Sequence, residues 1–217
     1  TRALFAQDPR AEYADYYERA LYNGILASQD PDSGMVTYFQ GARPGYMKLY
    51  CTPVDSFWCC TGTGMENHAK YRDSIYFHDA KTLYVNLLIP SKVAWKAQDA
   101  TLTQTTTFPD DPTTTLRWSL KRPTALTLKL RQPGWSRTAV VLVNGKVALR
   151  SKTPGFLEIA RTWKDGDTVE LRLEMRTGFE TDPAAPGIAA FTHGPLVLAG
   201  ALGTEGLPSG ADIVVNE

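Results

Sequence analysis

Cysteine and histidine are scarce in this 217-residue sequence, with three of each. The cysteines, Cys51, Cys59 and Cys60, cannot all pair within the chain. A bridge between the neighbours Cys59 and Cys60 would close a strained eight-membered ring, so no disulfide framework is expected. An excess of one charge is missing too: Lys+Arg and Asp+Glu both number 23. Without a basic surplus there is nothing to hold nucleic acid or an anionic membrane surface. No apolar run approaches the roughly 20 residues that span a bilayer, and no charged and apolar leader precedes the first helical stretch. Internal repeats are absent, and Thr61-Gly62-Thr63-Gly64 lacks the Lys-Ser/Thr of a phosphate loop. The sequence opens on Thr1 and not on Met, so it is expected to be part of a longer protein. Its localisation is unread beyond a soluble protein, periplasmic or cytoplasmic in a bacterium.

What is present is an ordinary globular composition, 43% hydrophobic and 21% charged, enough for one large domain or two small ones. Tyr13, Tyr16, Tyr17, Ala20, Leu21, Gly24 and Ile25 recur at helical spacing, and the helix they predict stops near Asp30-Pro31. Gly34, Gly41, Pro44, Gly45 and Pro53 predict a long ordered loop over 30–58, with a short strand at Met35 to Phe39. Thr63 with Glu66 forms a capping-box pattern, so a second helix is predicted to begin just after Cys60 and to run through Met65, Ala69, Arg72, Ile75 and Tyr76.

From Thr82 onward the period becomes alternation, in segments such as TLRWSL, ALTLKL, AVVLVNG and TVELRLEM. Turn signals at Pro109-Asp110-Asp111-Pro112, Asn144-Gly145 and Asp165-Gly166 separate them. Short strands with turns about every ten residues predict an antiparallel β-sandwich in preference to a barrel. The Thr-rich runs 101–107 and 113–115 read as the arms of one hairpin. Ile188 to Ala201 reads as a closing apolar strand pair, with His193 in a structural role. Trp135 and Trp163 have the chemistry of a carbohydrate platform, but within a sandwich the core is the better place for them.

The adjacent cysteines carry the chemistry. A free cysteine behaves as a small hydrophobe, a metal ligand or a reactive thiolate. At the mouth of a helix, unpaired N–H groups and the positive end of the dipole favour the thiolate. Two adjacent thiolates repel unless a cation lies between them, and soft sulfur suits zinc. A tetrahedral site wants about four ligands and the pair gives two. Cys51, His68 and His78 are the remaining candidates, none at a zinc-finger spacing. His68 is better read as a structural hydrogen-bonding group than as a pocket residue, and Cys51 as a plain loop thiol.

The run Phe57-Trp58-Cys59-Cys60-Thr61-Gly62-Thr63-Gly64-Met65-Glu66-Asn67-His68-Ala69-Lys70 resembles glycoside hydrolase family 127. So do "DSIYFHDAKTLYVNLLIPS", "LKLRQPGW", "VLVNGK", "ARTWKDGDTVELRL" and "THGPLVLAG". The family comprises β-L-arabinofuranosidase-like proteins, formerly a domain of unknown function. The resemblance implies an α+β, multi-module chain: residues 1–81 would close an (α/α)6 helical toroid and 82–217 would form the sandwich. It also implies a retaining hydrolysis in which a zinc-held thiolate attacks the anomeric carbon. Cys59 matches the nucleophile, Cys59 and Cys60 both match zinc ligands, and Glu18 and Tyr38 match residues that hydrogen-bond the sugar. The remaining zinc ligands, a Glu-x-Cys pair, and the acid/base glutamate would lie upstream of Thr1, so activity of this segment alone is in doubt. The partner expected is an arabinofuranose-containing glycan, with neither nucleic acid nor membrane, and a homodimer would cover any exposed helix face. The rival reading is a non-catalytic module that binds carbohydrate or props up a neighbouring domain. Redox or metal sensing by the vicinal thiols is a third.

Overall fold

A computed structural model describes residues 1–38, 40, 48–56, 58–201, 203 and 205. Phe39, the last residue of the predicted strand, and Gly41, Pro44 and Gly45 of the predicted loop lie outside the described residues. The chain divides into two compact units. One holds Thr1–Arg19 with Arg72–Val197, and the other holds Ala20–Tyr71 with the described residues after Val197.

The first unit is mostly β. It begins with helices α1 (Arg2–Gln7) and α2 (Ala11–Ala20), the second of which runs to the unit boundary. Strands β1 (Tyr76–His78), β2 (Thr82–Val85), β3 (Ser91–Trp95), β4 (Ala100–Thr106), β5 (Thr113–Leu120) and β6 (Thr124–Gln132) follow. The remaining strands are β7 (Ala139–Val143), β8 (Lys146–Ser151), β9 (Gly155–Trp163), β10 (Thr168–Leu173), β11 (Thr177–Asp182), β12 (Ala185–His193) and β13 (Leu196–Val197). They assemble into a four-stranded sheet ordered β1-β2-β6-β9, a six-stranded sheet ordered β3-β4-β5-β10-β7-β8, and a three-stranded sheet β11-β12-β13.

Alternation in the sequence becomes one-sided burial. In β5, Thr114, Leu116, Trp118 and Leu120 are buried, while Thr115, Arg117 and Ser119 between them are exposed. In β6, Leu126, Leu128 and Leu130 are buried in the same way. The four- and six-stranded sheets meet face to face, with Trp118 of β5 and Trp163 of β9 at 5.7 Å between ring centroids. Both indoles are fully buried, so Trp163 is a core residue. Each large apolar side chain removed from water here contributes about 1.5–3 kcal/mol.

The Thr-rich hairpin forms as predicted, with β4 and β5 antiparallel from Ala100↔Leu120 to Thr106↔Thr114. Asn144 and Gly145 turn β7 into β8 at φ of 51° and 76°, the doubly positive backbone that a tight hairpin of this twist requires. The sandwich is not wholly antiparallel: β2 and β6 run parallel, from Thr82↔Thr127 to Val85↔Leu130. Parallel neighbours need a crossover, and β3, β4 and β5 of the other sheet lie between them in the chain. The closing apolar segment is a sheet of three strands, with Phe179, Ile188 and Phe191 exposed.

Helix α1 seats Phe5 against Phe77, Tyr84 and Phe156 at centroid distances of 4.5, 5.8 and 5.9 Å. Helix α2 buries Ala11, Ala14 and Glu18, one stripe at helical spacing.

In the second unit the chain leaves α2 through a π turn (Leu21–Ile25) and a 3-10 turn (Leu26–Ser28). Single bridges Gln29↔Val36 and Thr37↔Tyr50 stand where a strand was predicted. Helix α3 spans Cys59–Lys70. It therefore starts at Cys59 and ends at Lys70, and Ile75 and Tyr76 of the predicted helix fall in the turn after it and in β1. Ser74, at φ 62°, takes the left-handed backbone that ends any continuation. Among the described residues no helix is long and apolar enough to cross a membrane.

Candidate active site

Cys59 and Cys60 are the first two residues of α3, within its first turn. The capping box predicted at Thr63 is replaced by a different arrangement. Trp58 is the N-cap without a side-chain cap, its carbonyl takes the Thr61 N–H at 3.0 Å, and Thr63 Oγ1 donates back to the Cys59 carbonyl at 3.4 Å. A threonine hydroxyl that satisfies itself on the carbonyl four residues earlier can sit inside a helix, so the Thr-x-x-Glu pattern did not mark its start. The chain before α3 is shaped by local bonds: Ser56 Oγ takes the Thr52 N–H, and Thr52 Oγ1 takes the Asp55 N–H.

The two thiols lie 3.9 Å apart, Cys59 exposed and Cys60 half-buried. Partial burial, and then the adjoining Cys59 thiol, push the Cys60 thiol above the ordinary cysteine value. Neighbouring sulfurs resist becoming two thiolates unless a cation compensates both. With zinc–sulfur bonds of about 2.3 Å, two tetrahedral ligands lie about 3.8 Å apart, so the observed separation fits a shared zinc ion. Among the described residues no three His, Cys, Asp or Glu side chains come together to hold a metal, and the pair by itself would give two of the four ligands that a tetrahedral zinc site takes. Cys51 is buried, accepting the Val36 N–H at 3.4 Å with its Sγ 3.8 Å from Met35 Sδ. His68 sits in the last turn of α3, 3.4 Å from Gln29 Nε2 and edge-on to Tyr71. His193 Nδ1 lies 2.9 Å from Thr177 Oγ1.

Tyr38 is exposed, with its ring 5.9 Å from that of Trp58. Tyr38 thus meets Trp58, the residue that the cysteine pair follows in the chain. Close packing behind the helix comes from Gly64, where an added Cβ would lie 2.7 Å from Val36 Cγ1.

Glu18 belongs to the first unit and is not a solvent-exposed helix carboxylate: it is 1% exposed. Arg131 of β6, also 1% exposed, donates from Nη2 to Glu18 Oε1 at 2.5 Å and from Nη1 to Asp15 Oδ1 at 2.5 Å. Trp135 Nε1 donates to Glu18 Oε2 at 2.9 Å, and the Gly134 N–H donates to Asp15 Oδ2 at 2.9 Å. Burial works to lower the Arg131 pKa, but the Glu18 and Asp15 carboxylates outweigh it and hold the guanidinium above its ordinary value. Asp15, Glu18 and Trp135 line a cavity of about 310 Å³ together with Tyr16, Glu180 and Thr192. Sequence reading missed Arg131. Alternation places Arg131 on the same face of β6 as Thr127 and Lys129, opposite the inward row Leu126, Leu128 and Leu130, so nothing in LTLKLRQ marked it for the carboxylate partners that a buried arginine demands.

Sequence profiles place the chain among known proteins. One described as "Beta-L-arabinofuranosidase, GH127 catalytic domain" matches residues 1–73, and another, "Beta-L-arabinofuranosidase, GH127 middle domain", matches residues 82–175. A non-reducing end beta-L-arabinofuranosidase of Bifidobacterium longum subsp. longum is 28% identical over 80% of this chain and 29% of its own length. The crystal structure of a GH127 beta-L-arabinofuranosidase from Geobacillus stearothermophilus T6 superposes with a TM-score of 0.76 and 28% identity, covering 90% of this chain and 34% of that one. A second solved GH127 beta-arabinofuranosidase gives a TM-score of 0.74 and 26% identity, with 89% and 34% covered. The chain therefore spans about a third of the length of these relatives.

Proposed function

The chain belongs to glycoside hydrolase family 127, and we propose that it supplies the nucleophile of a retaining glycosidase acting on terminal β-L-arabinofuranosides. The observation that carries this reading is the pair of adjacent thiols, 3.9 Å apart, in the first turn of α3. Support for the substrate class comes from the relatives, which are named for that activity.

In this reading α1, α2 and α3 are the closing helices of the family's helical toroid, within the stretch that matches the catalytic domain. Cys59 Sγ attacks the anomeric carbon as the bond to the leaving oxygen breaks, and that oxygen takes a proton from a general acid. Water then attacks the same carbon, its proton passes to the conjugate base, and the electron pair of the C–S bond returns to sulfur. Two inversions at one carbon give retention. The family resemblance assigns both proton transfers to a glutamate outside this sequence. Cys59 and Cys60 are the residues that would hold zinc, whose chemistry when bound is to keep both sulfurs deprotonated. The positive end of the α3 dipole adds to that preference for the anion. Glu18 accepts hydrogen bonds from sugar hydroxyls and Tyr38 contributes its phenol.

Substitution separates the two thiols. Cys59→Ala is expected to lower turnover by at least about 1,000-fold even where zinc remains, since no other group forms the covalent adduct. Cys60→Ala is expected to lose activity in step with zinc content and to recover in part at high zinc. Full activity in Cys59→Ala would return the protein to the two-carboxylate glycosidases or to a non-catalytic role.

A further inference from the structure

We infer that Arg131 and Trp135, both contributed by the β-rich part of the chain, are positioning residues that hold the Glu18 carboxylate for the sugar. The inference rests on the reading of Glu18 as a sugar ligand.

Glu18 reaches the cluster from α2, and the groups that fix it come from the end of β6 and the turn after it. Arg131 is itself over-determined. Its Nε donates to the Asn86 carbonyl at 2.5 Å, Nη1 to Asp15, and Nη2 to Glu18. Asp15 is anchored in turn by the Gly134 N–H. A guanidinium is planar with a fixed fork of donors, so with Nε and Nη1 taken, the direction of Nη2 is set, and Glu18 Oε1 must lie along it. Trp135 Nε1 takes the other oxygen, and the indole is kept in place by near-parallel stacking on Phe108 at 5.9 Å. Both carboxylate oxygens thus have a donor from the β-rich part. Oε2 also takes Arg131 Nη1 at 3.4 Å, so the lone pair left for a sugar hydroxyl is the second one on Oε1, and the residue lines the 310 Å³ cavity.

A plain structural ion pair would make the same contacts, so the test asks whether the positioning residues act through Glu18. Steady-state kinetics on a small β-L-arabinofuranoside are measured for the full protein that carries this chain, in Trp135→Phe, Glu18→Gln and the double variant. Trp135→Phe keeps an aromatic ring against Phe108 and removes the donor together with the smaller ring of the indole. It is expected to raise KM about tenfold while kcat stays within about threefold, because the lost contact serves ground state and transition state alike. In the Glu18→Gln background the same substitution is expected to add less than about twofold, the mark of two residues acting through one contact. Arg131→Met risks unfolding, and Arg131→Lys, which restores the charge without the fork, is expected to recover stability but not KM. If Glu18→Gln leaves KM unchanged, Glu18 is no sugar ligand and the inference falls with that reading. If Glu18→Gln raises KM but Trp135→Phe does not, or its effect adds in full, positioning alone is overturned.

Discussion

The two units of the chain differ in how they hold their side chains. In the first, strands β2, β5, β6 and β10 present rows of leucine and valine with Trp118 and Trp163 fully buried between sheets. In the second, the buried residues among those described are Leu21, Val36, Thr37, Cys51 and Gly64, and the structure is made of turns, single bridges and one twelve-residue helix. The thiol pair lies in the second kind of architecture, and the Arg131–Glu18–Trp135 cluster in the first. The exposed Cys59 thiol thus sits on a loosely packed framework, while Glu18 is held in one orientation by a framework with a high cost of distortion.

The largest effect is expected in the first unit, from Trp118→Ala. Removing a fully buried indole that packs on Trp163 is expected to cost about 3–5 kcal/mol. Calorimetric unfolding would show it, and a loss under about 1 kcal/mol would mean that the two sheets are not held by this contact.

A smaller effect is expected in the second unit from Gly64→Ala. The added Cβ meets Val36 at 2.7 Å, and overpacking of this kind costs about 1–3 kcal/mol, against a gain in helix propensity of about 1 kcal/mol. Val36 is buried and its neighbours are tied by bridges, so the clash is expected to win. Hydrogen exchange should quicken in α3 and stay unchanged in β5 and β6, and Val36→Ala should restore protection. Unchanged exchange in α3 would show that Val36 yields freely.

The smallest effect concerns acid. Asp167 is buried, and although burial acts to raise its pKa, the Lys164 N–H, the Asn144 amide and the Arg161 charge hold it below the ordinary aspartate value. A depressed folded value means that its stabilisation is complete above the unfolded pKa of about 3.9 and is lost as pH falls through the folded value. Thermal unfolding from pH 5 down to pH 2 should therefore fall less steeply in Asp167→Asn than in the parent. Equal slopes would remove Asp167 from the acid response.

The β-rich architecture was legible because alternation is a local signal: the Thr-rich hairpin and the Asn144-Gly145 turn both stand where the residues place them. The adjacent thiols were legible for the same reason, as neighbours in the chain. What could not be read was set by distant partners. Helix α3 begins at Cys59 because Thr63 bonds backward, an option the capping-box pattern does not distinguish from a true cap. Ile75 and Tyr76 satisfy helical spacing and strand character equally, and the positive φ of Ser74 decided between them. The parallel pairing of β2 with β6 and the burial of Glu18 by Arg131, 113 residues away, are long-range outcomes with no periodicity to announce them.

In the proposed mechanism one sulfur of the adjacent pair forms the bond to the sugar. An electrophilic, mechanism-based β-L-arabinofuranosyl analogue, followed by peptide mapping with mass spectrometry, reads that bond itself. One sugar-sized adduct is expected on Cys59 with Cys60 unmodified, abolished by Cys59→Ala. An adduct on an aspartate or glutamate, or equal labelling of both cysteines, would contradict it.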